Sequence, residues 1–383
     1  MCVRCGKEGH VEDCSSKKAW AVQAERWATK ASKDPYLGGW WGWNRTHGIT
    51  FIDSRPLPHP RTQALNDEVQ TRTIFNHPDL FKICCQINIK QFWKLLTHHL
   101  NWPFIESMII GLQEGFWLFS DTMKDGYPKS WDGSWWPLKM EKEFLFLQEQ
   151  ADTEINAGHF SALFRTELLP GMCSPLVHAV LKPESETMQL VVDHSSRDFS
   201  PNSMITHENI AGIQLDGLCS LSVSLMQIKL RHPSANLVLY KLDISAEYRQ
   251  LPMHPLYQIL QVITMDSQRY IDRNNNFGGC TSQVIWQLFM SLVIWILVFR
   301  HGLGVLKCYI NDTFLVTTVL DICWYEPYQR HMPTDQCKVL WFWDKIHLPH
   351  TKKKQILGHI VPILRFKVDV NLLMAYLSKE KHE

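Results

Sequence analysis

Two aspartates at the ends of apolar segments are the residues of this sequence with the clearest chemical potential. Asp243 ends the apolar run LVLYKLD, and Asp312 lies in CYINDTF, where a turn joins two apolar runs. Carboxylates at strand ends can meet at one sheet edge even when they are far apart in sequence. Paired there, they could hold the two magnesium ions, ~4 Å apart, that assist nucleotidyl transfer. Taken alone, however, strand-end aspartates are usually turn residues.

Strands and helices that would position these carboxylates are predicted around them. Short apolar runs at 178–183 and 188–194, joined by a polar stretch, predict a β-hairpin, and ANLVLYKLDIS at 235–245 predicts a further strand. The apolar run 284–299 predicts a buried helix, and 305–316 a strand–turn–strand with Asn311 and Asp312 at the turn. Together with helical periodicity upstream, in residues 76–165, this pattern predicts an α+β fold.

The order of motifs in the second half of the chain resembles the fingers and palm of a retroelement reverse transcriptase. SPLVHAVLKP…LVVDHS…PNSMI at 174–205 resembles the fingers hairpin, and YKLDISAEYRQLPMHP at 240–255 the first palm motif. NNNFGGCTSQVIWQLF at 274–289 resembles the motif that follows. CYINDTF at 308–314 resembles the Tyr–x–Asp–Asp hairpin, and ILGHIVPILRFKVD at 356–369 the primer grip.

This resemblance implies an RNA-directed DNA polymerase with a right-hand palm, an antiparallel sheet flanked by helices. It implies that Asp243 and Asp312 bind Mg²⁺ or Mn²⁺, with Asn311 as a poorer third ligand. The implied partners are an RNA or DNA template, a primer and deoxynucleoside triphosphates. The implied nucleotide site has Lys182 at the phosphate and Tyr248 at the sugar, and further comprises Gln189, Phe277 and Gly278.

The segment before the palm motifs carries a second resemblance. HHLNWPFIESMIIGLQEGFW, AGHFS and LLPGM resemble the region that precedes the polymerase in retroelements of the DIRS or tyrosine-recombinase kind. The sequence does not separate this subgroup from Gypsy-like elements. The likeness to retroelements therefore covers roughly residues 90–383.

Several positions depart from the family pattern. Asn311 stands where the first of two adjacent aspartates is expected, and an amide offers magnesium a neutral oxygen in place of a carboxylate. Gln189 replaces the arginine that would clamp the triphosphate. Glu247 stands where a small residue is usual, and Arg365 where a turn glycine is common and a Cβ would be strained. Together these departures predict an inactive or impaired polymerase.

The first residues predict a small metal site. Cys2, Cys5, His10 and Cys14 have the spacing C-x2-C-x4-H-x3-C, which resembles the retroviral zinc knuckle with one residue missing before the last cysteine. Three thiolates and one imidazole are a tetrahedral Zn²⁺ donor set. Such knuckles bind single-stranded nucleic acid by stacking unpaired bases. The open alternative is a decayed, unfolded tail.

Composition bounds the remaining possibilities. The chain has 383 residues, a formal net charge of +1 and 11 cysteines. That charge does not indicate a nucleic-acid binder as a whole, so binding would depend on local patches such as Lys352–Lys354. Scattered cysteines and the absence of an apolar leader predict an intracellular protein that is not secreted, with nucleus and cytoplasm unresolved. The run 284–299 is short for a membrane span, which needs ~20 residues, so no membrane partner is expected.

Four regions are predicted: a knuckle at 1–15, a linker or loosely ordered region at 16–75, a helical region at 76–165, and fingers and palm at 166–383, truncated at the thumb. Two further interpretations stay open beside the polymerase. One is a zinc-dependent, non-catalytic protein that binds single-stranded nucleic acid. The other is a relic without function.

Overall fold

The computed structural model describes residues 54–377, except 136–140, 182–187, 207, 209, 211–214, 305 and 319–320. Its α-helices, in chain order, are α1 Thr62–Leu65, α2 Glu68–Asn76, α3 Ile89–Leu95, α4 Trp102–Glu114, α5 Glu141–Asn156, α6 Leu218–Arg231, α7 Pro255–Gln258, α8 Ser282–Phe299 and α9 Thr334–Ile346. Short 3₁₀ turns span Pro201–Met204, Tyr248–Gln250, Glu326–Tyr328 and Lys352–Lys354.

The strands are β1 Trp131–Asp132, β2 Cys173–Ser174, β3 Leu176–Leu181, β4 Met188–Asp193, β5 Leu237–Asp243, β6 Val262–Met265, β7 Gln268–Ile271, β8 Leu306–Tyr309, β9 Asp312–Thr318, β10 Ile322–Tyr325, β11 Arg330–Pro333, β12 Ile356–Gly358, β13 Ile360–Ile363, β14 Phe366–Asp369 and β15 Met374–Leu377. The chain thus combines helices with mostly antiparallel strands, in agreement with the predicted α+β fold.

The part of the chain before residue 136 differs from its prediction in two places. Residues 54–75, predicted as a linker, carry α1 and most of α2 and contribute Leu57 and Ala64 to the main core. The Asp67 side chain caps α2 by accepting from two backbone N–H groups, a local signal that the linker interpretation overlooked. Between α4 and residue 135 the chain is not helical, and β1 pairs in parallel with β2.

A small layer forms around the predicted hairpin. β3 and β4 pair antiparallel from Leu176↔Asp193 to Leu181↔Met188, which confirms the hairpin. Helix α5 and the antiparallel pair β6–β7 cover it, and a separate apolar cluster fills the layer: Leu147, Ala151, Phe160, Val177, Val192, Ile263, Met265 and Tyr270. Helix α5 ends before Gly158, whose φ of +79° is left-handed, as expected for a glycine that breaks a helix.

The central sheet has the strand order β12-β5-β9-β8, and all its pairs are antiparallel. Side chains alternate along β5, so Tyr240 and Leu242 face the main core while Leu237 and Leu239 face a second apolar cluster. The apolar helix α8 lies in the main core. It is the helix within the described residues whose length and apolarity would suffice to cross a membrane, and 78% of it is buried inside the protein.

Strands β13, β14 and β15 form a three-stranded antiparallel sheet that covers the second cluster. The turn between β13 and β14 contains Leu364 and Arg365. The residue with left-handed backbone is Leu364, at φ +57°, and not Arg365. The prediction of backbone strain at Arg365 was therefore wrong by one residue. The turn type determines which residue has positive φ, and the motif alone does not predict the turn type.

Candidate active site

The two predicted aspartates lie directly opposite each other. Asp243 is the last residue of β5, Asp312 is the first residue of β9, and the two are register partners in the antiparallel pair. Directly opposed side chains in such a pair have Cβ atoms roughly 5 Å apart. The predicted convergence of these two carboxylates at one sheet edge is therefore confirmed.

The turn that delivers Asp312 is tight. Ile310 adopts a left-handed φ of +57°, and its carbonyl oxygen accepts a 3.0 Å hydrogen bond from the indole Nε1 of Trp286 on α8. Asn311 follows in the turn, while Asp312 already belongs to β9 rather than to the turn. Through this hydrogen bond, the buried helix α8 fixes the position of the turn and therefore of Asn311 and Asp312.

Each aspartate forms an ion pair with a lysine. Lys241 Nζ lies 2.7 Å from Asp312 Oδ2, and Lys354 Nζ lies 2.7 Å from Asp243 Oδ1. The carboxylate side chains are only 15% and 17% exposed, so these pairs are more strongly coupled than surface ion pairs. Lys241 reaches Asp312 because it lies two residues before Asp243 on the same face of β5, diagonal to Asp312.

A third carboxylate lies close by. Glu247 follows β5, and burial raises the pKa of its carboxyl, with the negative charges of Asp243 and Asp312 adding to the effect and Lys354 opposing it. Burial also raises the pKa of Asp312, although Lys241 partly offsets this. We call Asp243, Asn311, Asp312 and Glu247 the acidic edge. Lys241 and Lys354 favour the ionised form of Asp312, and Lys354 favours that of Glu247.

The donor set of the acidic edge does not fit two magnesium ions. Of the adjacent ligand positions on the hairpin, one holds a neutral amide, and both aspartates already have an oxygen bonded to a lysine ammonium. Within the described residues, no group of three or more histidine, cysteine, aspartate or glutamate side chains converges as a metal site. A two-ion site needs more charged oxygen ligands than this.

A cavity of about 400 Å³ opens beside the acidic edge. Three of the predicted site residues line it together: Gln189 from β4, Phe277 from the turn before α8, and Asn311. Phe277 is 45% exposed, so its flat apolar ring is accessible to a ligand in the cavity. The remaining lining residues are Gln150, Glu154, Phe160, Met188, Leu190, Val192, Ala246, Glu247, Arg249, Asp272, Asn276 and Lys354.

Tyr248 and Gly278 lie behind this cavity instead of lining it. The Tyr248 ring is buried against Phe277, with centroids 4.9 Å apart, and against Trp286 at 6.3 Å. Burial raises the pKa of the Tyr248 phenol to about 12. Gly278 passes so close to β4 that a Cβ there would lie 1.7 Å from the Val192 carbonyl oxygen. Both residues therefore set the position of Phe277.

Arg249 is a buried cation at the cavity that the sequence motifs did not single out. Its guanidinium bonds Asp272 at 2.7 and 2.9 Å and Glu154 at 2.9 Å, so it joins the 3₁₀ turn after β5 to α5 and to the residue that follows β7. Burial alone would raise the pKa of Glu154, but Arg249 and His159 outweigh it and lower that pKa to about 2. Because its guanidinium is already paired with Glu154 and Asp272, Arg249 does not replace the arginine that is missing at Gln189 and would bind the triphosphate.

Some predicted residues lie outside the described part of the chain: Cys2, Cys5, His10 and Cys14 of the knuckle, and Lys182. Other contributors to the site, Lys241, Glu154 and Asp272, were assigned no role from the sequence, and Lys354 was assigned only to a possible nucleic-acid-binding lysine patch. Lys241 had a usable signal, since it shares a strand face with Asp243. Lys354 had none, because only the fold brings it to β5.

Neither a protein-family model nor a curated protein matches the chain. In fold, it is similar to solved structures of a foamy viral protease-reverse transcriptase. The one in complex with an RNA/DNA hybrid is 14% identical with a TM-score of 0.47, and the match covers 77% of this chain and 37% of that one. Another, in complex with double-stranded DNA, is 12% identical with a TM-score of 0.47, and the match covers 78% of this chain and 58% of that one. This chain spans less than two thirds of the length of either.

Proposed function

We propose that this chain is the fingers-and-palm part of a retroelement RNA-directed DNA polymerase whose active site is impaired. The observation that carries the proposal is the register of β5 and β9, which sets Asp243 opposite Asp312. Their neighbours Asn311, Glu247 and Lys354 line a cavity of about 400 Å³. The motif order along the chain supplies the reaction class, since the same segments that resemble polymerase motifs build this edge and this cavity.

In this proposal the acidic edge faces the primer terminus and the cavity receives the incoming nucleotide. Phe277 offers a ring for stacking against the nucleotide, and Tyr248 supports that ring from behind. Gln189, on β4, faces the triphosphate, and we retain Lys182 as a proposed phosphate contact. Asp243 and Asp312 are the proposed ligands of magnesium or manganese. With the neutral Asn311 beside them, they offer too few charged oxygens to hold two ions well.

The impairment has three causes that act on one place. Asn311 removes a full negative charge at a ligand position, and an amide oxygen binds magnesium more weakly than a carboxylate. Gln189 removes a bidentate guanidinium from the triphosphate. Glu247 brings a carboxylate to the cavity wall, where it repels the triphosphate.

Primer extension on an RNA template tests the proposal. The Asn311→Asp variant should extend a primer, because the hairpin then presents two adjacent carboxylates opposite Asp243. The matched control is the double variant Asn311→Asp/Asp243→Asn, which restores the hairpin but removes the opposing carboxylate, and it should not extend. Equal extension by both variants would contradict the palm interpretation.

A second candidate function is nucleic-acid binding without catalysis. It is favoured by the ion pairs that neutralise Asp243 and Asp312, together with the exposed Lys352 and Lys353, which lower the repulsion between this edge and a phosphate backbone. The proposed zinc knuckle at Cys2, Cys5, His10 and Cys14 would add contacts to single-stranded RNA or DNA. We also propose that the retroelement is of the DIRS or the Gypsy-like kind, and that the protein is intracellular, in the nucleus or the cytoplasm.

A further inference from the structure

Four side chains, from three elements and the loop that follows the third, form one hydrogen-bonded cluster next to the acidic edge. His350 Nδ1 lies 2.5 Å from the Tyr328 hydroxyl, and His350 Nε2 lies 3.0 Å from Asp344 Oδ1. The Tyr325 hydroxyl donates to Asp344 Oδ2 at 2.7 Å. Tyr325 ends β10, Tyr328 lies in the following 3₁₀ turn, and Asp344 is on α9. His350 lies in the segment after α9.

One protonation pattern satisfies this cluster. Burial lowers the pKa of His350, so the ring is neutral and carries a single N–H. With that proton on Nε2, the ring donates to Asp344 and accepts the Tyr328 hydroxyl proton at Nδ1. The His350 side chain is only 5% exposed, so loss of either partner would leave a buried polar atom unsatisfied.

The segment that contains His350 runs along the end of β5. Ser245 N donates to the Pro349 carbonyl at 2.8 Å, and Ile244 and His350 form an isolated bridge. Further on, the Gln355 side chain bonds both the N–H and the carbonyl of Asp243, at 3.3 and 3.1 Å. Between these attachments, the 3₁₀ turn of lysines places Lys354 on Asp243 at 2.7 Å.

We infer that Tyr325, Tyr328, Asp344 and His350 are a positioning cluster, whose role is to hold the segment 349–355 so that Lys354 stays on Asp243. The members of the cluster contact one another and the segment 349–355, so they act on the acidic edge through Lys354. The geometry stands alone, and only its importance for nucleotidyl transfer rests on the proposed function. The cluster therefore does more than join neighbouring elements: it keeps Lys354 paired with Asp243.

The reactivity of Lys354 towards acetylation tests this inference directly. An ammonium ion-paired with a buried carboxylate reacts slowly, whereas exposed Lys353, one residue away, serves as the internal reference. In the full chain, treated with an N-hydroxysuccinimide acetate and analysed by mass spectrometry, we expect His350→Phe to raise the Lys354/Lys353 ratio roughly fivefold. Asp243→Asn, which frees Lys354 directly, should raise the ratio by a similar factor.

Two further variants make the result decisive. His331→Phe changes an exposed histidine ring that packs edge-on against Trp324 in the same hairpin and should leave the ratio unchanged. Tyr328→Phe removes a single oxygen from the cluster and should raise the ratio in the same direction, which decides the question if His350→Phe does not fold. A ratio that stays at the wild-type value in Tyr328→Phe while rising in Asp243→Asn would overturn the inference.

This outcome is separable from that of the proposed function. If the ratio rises as expected but Asn311→Asp never extends a primer, then the positioning cluster stands and the polymerase proposal fails. If Asn311→Asp extends primers but the ratio is insensitive to the cluster, then the polymerase stands and Lys354 is held by Asp243 and Gln355 without help.

Discussion

At the scale of single residues, the amide of Asn311 and the missing side chain of Gly278 have the largest effects on the site. Asn311 occupies the tight turn between β8 and β9, where the backbone is determined by Ile310 and Trp286. Changing its side chain therefore alters the charge of the acidic edge with little effect on the hairpin. Gly278 is the opposite case, since its lack of a side chain is what lets Phe277 reach the cavity.

Gly278→Ala is expected to destabilise the protein by about 2 kcal/mol or more, because its Cβ would lie 1.7 Å from the Val192 carbonyl oxygen and β4 would have to move. Urea unfolding measures the loss. The matched control is Gly217→Ala, where an added Cβ meets no atom within 4 Å and the change should stay within about 1 kcal/mol. Equal stability of Gly278→Ala and the wild type would mean that the turn is not packed on β4 as described.

At the scale of elements, the sequence predicted the parts that carry strong periodicity. The β3–β4 hairpin, β5, α8 and the β8–β9 hairpin lie where apolar runs and turns indicated them, because each is bounded by local signals. The facing of Asp243 and Asp312 was predicted through the motif order. The register itself is a non-local property of β5 and β9, which no window of sequence contains.

The parts that could not be predicted are those that depend on packing between distant segments. Arg249, Glu154 and Asp272 come together from a turn, a helix and the segment after β7, and none of the three has a distinctive local pattern. The same holds for Lys354, which reaches Asp243 from a segment 111 residues further along the chain. The role of a buried charged side chain can be predicted only when the partner that stabilises it is known.

The Arg249 network makes a prediction about acid stability. The pKa of Glu154 is lowered from its ordinary value of 4.5 to about 2, so its stabilising effect is full above pH 4.5 and is lost as the pH falls towards 2. We expect Glu154→Gln to lower the free energy of unfolding at pH 7 by about 3 kcal/mol and to flatten its dependence on pH below 4.5. Urea titrations at pH 7, 5, 4 and 3 give both quantities.

The control for this variant lies on the same helix. Glu149→Gln changes an exposed carboxylate of α5, and the wild-type dependence of stability on pH should persist. If Glu154→Gln loses stability with acid as steeply as the wild type between pH 4.5 and 3, then Arg249 and Glu154 do not form the ion pair that joins α5 to the turn after β5.

At the scale of the whole molecule, a near-neutral chain is proposed to bind a polyanion. The net charge of +1 gives no general attraction, so binding depends on local features: the lysine turn beside the acidic edge, and the proposed zinc knuckle at the start of the chain. The knuckle lies outside the described residues, and its shortened spacing makes zinc binding a separate question from polymerase geometry.

The zinc prediction is one bound ion per chain, held by Cys2, Cys5, His10 and Cys14 with Zn–S distances near ~2.3 Å by X-ray absorption. Metal analysis after dialysis at neutral pH, with the thiols kept reduced, should find zinc in the wild type and none in Cys5→Ser. Cys219→Ser, which removes an exposed free cysteine of α6, should retain it. A wild-type chain that keeps no zinc under these conditions would leave the N-terminal motif without a metal role.

The central claim, an impaired polymerase palm, is tested most directly by the rate of single-nucleotide incorporation on an RNA-templated primer with Mg²⁺. We predict that Asn311→Asp raises this rate by ~10²–10³, the usual cost of losing one preorganised charge. Adding Gln189→Arg and Glu247→Ala should raise it further, without simple additivity because all three act on one triphosphate. Asn311→Ala should remain slow, and Mn²⁺ should help the wild type more than the triple variant. A wild-type chain that incorporates nucleotides as fast as the triple variant would contradict the impairment, and no incorporation by any variant would contradict the polymerase itself.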